Sequence, residues 1–124
     1  MAKTTDSATA QDLNLSVVIG EVATEPVARE LSNGDVVTSL DIATHSPHGR
    51  ITVPVLLEGE CEGVEVGQRV FVCGVTRRRF FRAGNGVTSR TELLADVVVP
   101  VRRKTQVQRA LHGAITDLKD FVSA

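Results

Sequence analysis

Along most of the chain, apolar and polar positions alternate with the period of strands that bury one face. Residues 13–22 (LNLSVVIGEV) predict a first strand, with Gly20 at a bend or bulge. Residues 31–35 form a hairpin turn built on Asn33-Gly34. A second strand follows over 36–44, with Val36, Thr38, Leu40 and Ile42 on one side. After a short loop at 45–49, residues 51–57 predict a third strand that Pro54 assigns to an edge or a bulge. The acidic stretch 58–66 holds two glycines and supports no more than one helical turn. A long hairpin comes next: Val70-Phe71-Val72 run through Gly74 to Arg82, turn at 83–86, and return from Val87. Residues 91–101 complete the last long strand. Short strands with regular turn signals predict a small barrel or sandwich.

From Gln106 the period changes. Val107, Leu111, Ala114, Leu118 and Phe121 fall at helical spacing, Ile115 and Val122 widen the stripe, and Thr105 is the expected N-cap. Gly113 weakens the helix by about 1 kcal/mol relative to alanine. The helix has two readings: docked on its own barrel, or docked on a partner or a second copy. The predicted organisation is thus a flexible leader at 1–12, a β domain at 13–104 and a C-terminal helix at 105–124.

Composition narrows the setting. The 124 residues suit one domain with a real core, and 42% hydrophobic with 23% charged content is that of a soluble globular chain. No apolar run approaches the roughly 20 residues that cross a bilayer, and the polar start is not a signal peptide. A cytoplasmic protein without membrane contact is expected. Cys61 and Cys73 are then reduced thiols. With His45 and His48 they offer four zinc ligands, but the close cysteine pair of structural zinc sites is lacking. No metal and no cofactor are expected.

Charge changes the picture more. The net charge is only −1, yet residues 1–68 carry 3 basic and 11 acidic side chains, a balance of −8, whereas 69–124 carry 11 and 4, a balance of +7. Binding responds to the local field, so a polarised molecule can present a basic groove. Six arginines stand in 67–90, at 69, 77, 78, 79, 82 and 90, with no acid between them. Strand alternation puts Arg77, Arg79 and Phe81 on one side of the hairpin and Arg78 and Phe80 on the other. Guanidinium forks beside aromatic plates suit phosphates and flat bases. The same residues also read as a solvated basic hairpin with both phenylalanines in the core. There is no Ser/His/Asp or Cys/His arrangement, no phosphate-binding Gly-Lys-Ser/Thr loop and no paired carboxylates beside a basic cleft, so an enzyme is not expected.

With these pieces placed, the chain resembles the bacterial single-stranded DNA-binding protein (SSB) family, as a divergent or accessory member. The matching residues begin with Asn14-Leu15-Ser16-Val17-Val18-Ile19-Gly20, Glu25-Pro26-x-x-Arg29, Asn33-Gly34 and Leu40-Asp41-Ile42-Ala43-Thr44. They resume with Gly67-Gln68-Arg69-Val70-Phe71-Val72-Cys73-Gly74, Arg77-x-Arg79-x-Phe81 and the run into Val97, so the match spans most of 13–101. The resemblance implies an all-β OB-fold, a five-stranded Greek-key barrel, here with a C-terminal amphipathic α-helix. It also implies assembly into dimers or tetramers and sequence-tolerant binding of single-stranded DNA in replication, recombination or repair. Carried over by position, Arg29, Arg77 and Arg79 would contact the DNA backbone and Phe81 would stack on a base, with Phe80 second. Arg78, Arg82 and Arg90 join them from charge alone.

The sequence departs from the family where stacking is concerned. It has no Trp, no Tyr and four Phe; the loop that normally carries an aromatic is cut to 45–50, and Thr52 stands where another is expected. Each lost plate removes roughly 1–3 kcal/mol. The acidic recruiting tail of the family is replaced by the helix, so a protein-interaction or assembly module with weak or lost DNA binding is the alternative expectation.

Overall fold

In the computed structural model, which describes residues 12–123, six strands and one helix follow in order. They are β1 Ser16–Val22, β2 Val27–Glu30, β3 Val36–Ser46, β4 Gly49–Glu58, β5 Arg69–Ala83, β6 Gly86–Pro100 and α1 Lys104–Ser123. All but Asp12 of the expected leader lies outside the described residues, as does Ala124.

Hydrogen bonding closes a ring: β1 pairs with β5, β5 with β6, β6 with β4, β4 with β3, and β3 with β1. The β4–β6 contact is parallel, and the other pairings among the described residues are antiparallel. This is the OB-fold barrel. The sixth strand does not break the five-stranded count, because β1 and β2 are two halves of one bent strand. Both run antiparallel to β3, with Val22 opposite Ile42 and Val27 opposite Ser39. Pro26 lacks an N–H for a continuous ladder, and the Thr24 hydroxyl spans the gap by accepting from the Asp41 amide at 2.9 Å. Gly20 sits where the ring closes, since a Cβ there would collide with the Ala43 carbonyl.

Alternation fills the interior with Val22, Leu40, Ile42, Val55, Val70, Val72, Leu93 and Ala95. Residues 59–68 form turns rather than a helix, and Val64 enters the core from them. Contrary to the edge expectation, β4 lies between β3 and β6; Pro54 is tolerated because it pairs with Asp41 on β3 and the parallel ladder to β6 starts only at Val55. The β3–β4 loop is tighter than expected, because both strands extend to a Pro47-His48 turn.

The outer face of β5 is covered as well. Phe71 and Cys73 point away from the interior and pack under Val107, Ala110 and Ala114 of α1, with Leu15 and Val97. The helix therefore docks on its own barrel through its small residues. Leu111, Ile115, Leu118, Phe121 and Val122 stay exposed. It starts at Lys104, with the Val107 amide bonding the Arg103 carbonyl, so Thr105 lies inside the first turn and is not the N-cap. Cys61 and Cys73 belong to separate apolar clusters, and burial pushes both thiols up, which suits space-filling side chains.

Candidate nucleic-acid interface

Strands β5 and β6 outrun the barrel. Strand β1 leaves β5 at Gly74, and β4 touches β6 only over Leu93–Ala95. Beyond those points, among the described residues, 77–83 and 86–92 pair only with each other, forming a two-stranded arm. At its base Gly74 lets the β6 backbone cross closely, where the β5–β6 register shifts by one residue. Its tip is the expected tight turn, with positive φ at Gly84.

Register decides what the arm presents. Arg77 faces Glu92, Arg79 faces Arg90 and Phe81 faces Thr88 on one side. Arg78 faces Thr91, Phe80 faces Ser89 and Arg82 faces Val87 on the other. The expected split is present, but neither phenylalanine enters a core: Phe80 is 66% exposed and Phe81 38%. The reading that buried both is corrected, because among the described residues the arm has no third strand or helix to cover them.

The first face is folded into a cleft. Arg29, on the exposed β2, shares that cleft with Arg79 and Arg90, and a neighbouring hollow brings Arg29, Arg77 and Arg79 together. Four of the sequence-predicted residues therefore converge, and Phe81 joins them with the Arg79 guanidinium 5.3 Å from its ring centroid. They are not free charges, however. Glu92, whose side chain is only 4% exposed, binds Arg77 Nη2 at 2.6 Å and Arg79 Nε at 3.1 Å. A second contact joins Arg79 Nη2 to Glu92 Oε1 at 3.4 Å. Arg90 Nη2 lies 3.7 Å from Asp41 Oδ1. Burial pushes the Glu92 carboxyl up, but hydrogen bonds from Arg77 and Arg79 and their charges outweigh it and hold the group below the usual carboxylate range. The expected open row of arginines is thus corrected: Arg77 and Arg79 share one acid of β6, and Arg90 approaches one of β3.

The second face differs. Arg78, Phe80 and Arg82 are exposed, and among the described residues neither arginine has a carboxylate within 4.0 Å; the same holds for Arg29. Glu92 and Asp41 are site residues that reasoning from composition misses. The signal for Glu92 lay in the hairpin register, since a turn at Gly84-Asn85 sets Arg77 opposite Glu92.

No protein-family model matches the chain, and no curated protein matches it in sequence. Solved structures do match it. One is the Plasmodium falciparum SSB in complex with single-stranded DNA, 20% identical with a TM-score of 0.62, covering 73% of this chain and 96% of that one. The architecture the two share is the OB-fold.

Proposed function

We propose that the protein binds single-stranded DNA without strong sequence preference, through the arm and the cleft at its base. The observation that carries this reading is the pair of solvent-exposed phenylalanines standing among arginines on a two-stranded arm. Exposed aromatic rings beside guanidiniums provide stacking plates with phosphate partners at hand. The solved structure that the fold resembles holds single-stranded DNA, which supports the same ligand. In this reading Phe80 and Phe81 stack on bases, Arg78 and Arg82 follow the phosphates along the open face, and Arg29, Arg77, Arg79 and Arg90 receive the strand in the cleft. The protein acts as a binding protein rather than an enzyme, in the cytoplasm, during replication, recombination or repair, and works as a homo-oligomer.

Titration with fluorescent oligo-dT of several lengths at two salt concentrations, alongside a solution mass measurement, tests this. Binding that falls steeply with salt is expected, because each neutralised phosphate of a single strand contributes about 0.7 to the slope. Salt-insensitive binding, or none, rejects it.

A second reading is favoured by α1, whose Leu111, Ile115, Leu118 and Val122 stay exposed after the helix has docked. A protein-interaction or assembly module would use that edge. Leu111→Ala with Leu118→Ala would then disrupt assembly or a partner contact while oligo-dT binding survives.

A further inference from the structure

The cleft beside the arm is lined by three arginines and three acids: Arg29, Arg79 and Arg90 against Glu25, Asp41 and Glu92. For a surface that receives a polyanion this balance is unexpected, because charge-assisted pairing with phosphate is the main source of affinity in such sites. Two of the acids, Glu92 and Asp41, are engaged rather than incidental. Glu92 ties Arg77 and Arg79 together, and Asp41 approaches Arg90 from β3. Among the described residues the Nε of Arg77 is buried with no hydrogen-bond partner, and this guanidinium bonds Glu92 through Nη2.

We propose that Glu92 and Asp41 are resident competitors for phosphate, carboxylates that pair with Arg77, Arg79 and Arg90 and so set the affinity and the salt response of strand binding. This rests on the single-stranded DNA reading above and deepens it. Glu92 is buried at the base of the arm and cannot swing into solvent, so a phosphate arriving at Arg77 or Arg79 shares a guanidinium with a fixed anion. Repulsion between the two anions offsets part of the gain. Asp41 is less buried and its contact is longer, so it gives way more readily. A strand is therefore held mainly by the open face and released easily from the cleft, as sliding or displaceable binding requires.

Glu92→Gln and Asp41→Asn remove charge while keeping shape. With oligo-dT at a series of salt concentrations, E92Q is expected to bind about tenfold tighter at low salt, the gain of roughly one charge-assisted hydrogen bond. Its log affinity against log salt should steepen by about 0.7 for each released guanidinium that takes a phosphate. D41N should shift both quantities the same way by a smaller step, and being a surface change it decides the matter if E92Q fails to fold. A slope and affinity unchanged in both variants, or weaker binding by variants that retain wild-type circular dichroism and melting, overturns the proposal while leaving the function reading standing. Absence of binding by wild type and variants alike overturns both.

Discussion

The two faces of the arm are built from the same strands and nearly the same residue types, yet they are in opposite electrostatic states. On one, Arg77 and Arg79 converge on Glu92 and Arg90 leans to Asp41. On the other, Arg78 and Arg82 flank Phe80, and the three stand opposite Thr91, Val87 and Ser89 across the ribbon. A two-stranded hairpin is marginal in water without further support. The compensated face supplies that support, as a buried carboxylate fastens two guanidiniums of β5 to β6 where the arm leaves the barrel. The open face is then free to carry exposed charge and an exposed ring. Structure and recognition are divided between the two sides of one ribbon, and arginine serves both because its planar fork can pair with a carboxylate or a phosphate.

The largest expected effect breaks the compensated face. Arg77→Ala with Arg79→Ala leaves Glu92 buried and unpaired, which costs about 3 kcal/mol of stability, read as a lower urea midpoint. Arg78→Ala with Arg82→Ala should leave that midpoint unchanged. Equal melting of the two double variants would erase the distinction between the faces.

Next come the rings. Phe80→Ala is expected to cost about 1–3 kcal/mol of oligo-dT affinity with stability unaltered. Phe81→Ala should cost a similar amount and also free Arg79 from its cation–π contact. A loss at Phe81 alone would place the strand wholly on the cleft side.

Smaller again is the effect of the open arginines on salt dependence. Removing Arg78 and Arg82 should lower the slope by about 1.4 in total, measured by the same titration across salt.

The smallest effect is read by pH. The folded-state pKa of Glu92 is lowered, so its contribution to stability is complete above the unfolded value of about 4.3 and is lost as pH falls through the folded value. Wild type should therefore lose more stability than E92Q over that acid range in urea melts.

Much of the barrel could be read from residue order alone. Asn33-Gly34 forms the β2–β3 turn, with the Asp35 amide bonding Asn33 Oδ1 at 3.0 Å and Gly34 at positive φ. The β5–β6 turn and the two-faced alternation of its arginines also match, because both are local consequences of turn chemistry and strand period. Strand β2 escaped that reading. All four of its residues are exposed, so no burial pattern marks them, and only pairing with β3 makes them a strand.

Local periodicity determined which residues share a face and where the chain turns, since both depend on neighbours within a few positions. Whether Phe80 and Phe81 would be buried depended on how far β1 and β4 accompany β5 and β6, which is a matter of strand lengths set far apart in the chain. The pairing of Arg90 with Asp41 needed the closed ring, which brings β3 beside the arm across 49 residues. Alternation therefore placed the cations, and closure of the barrel chose which of them meet an acid and which meet solvent.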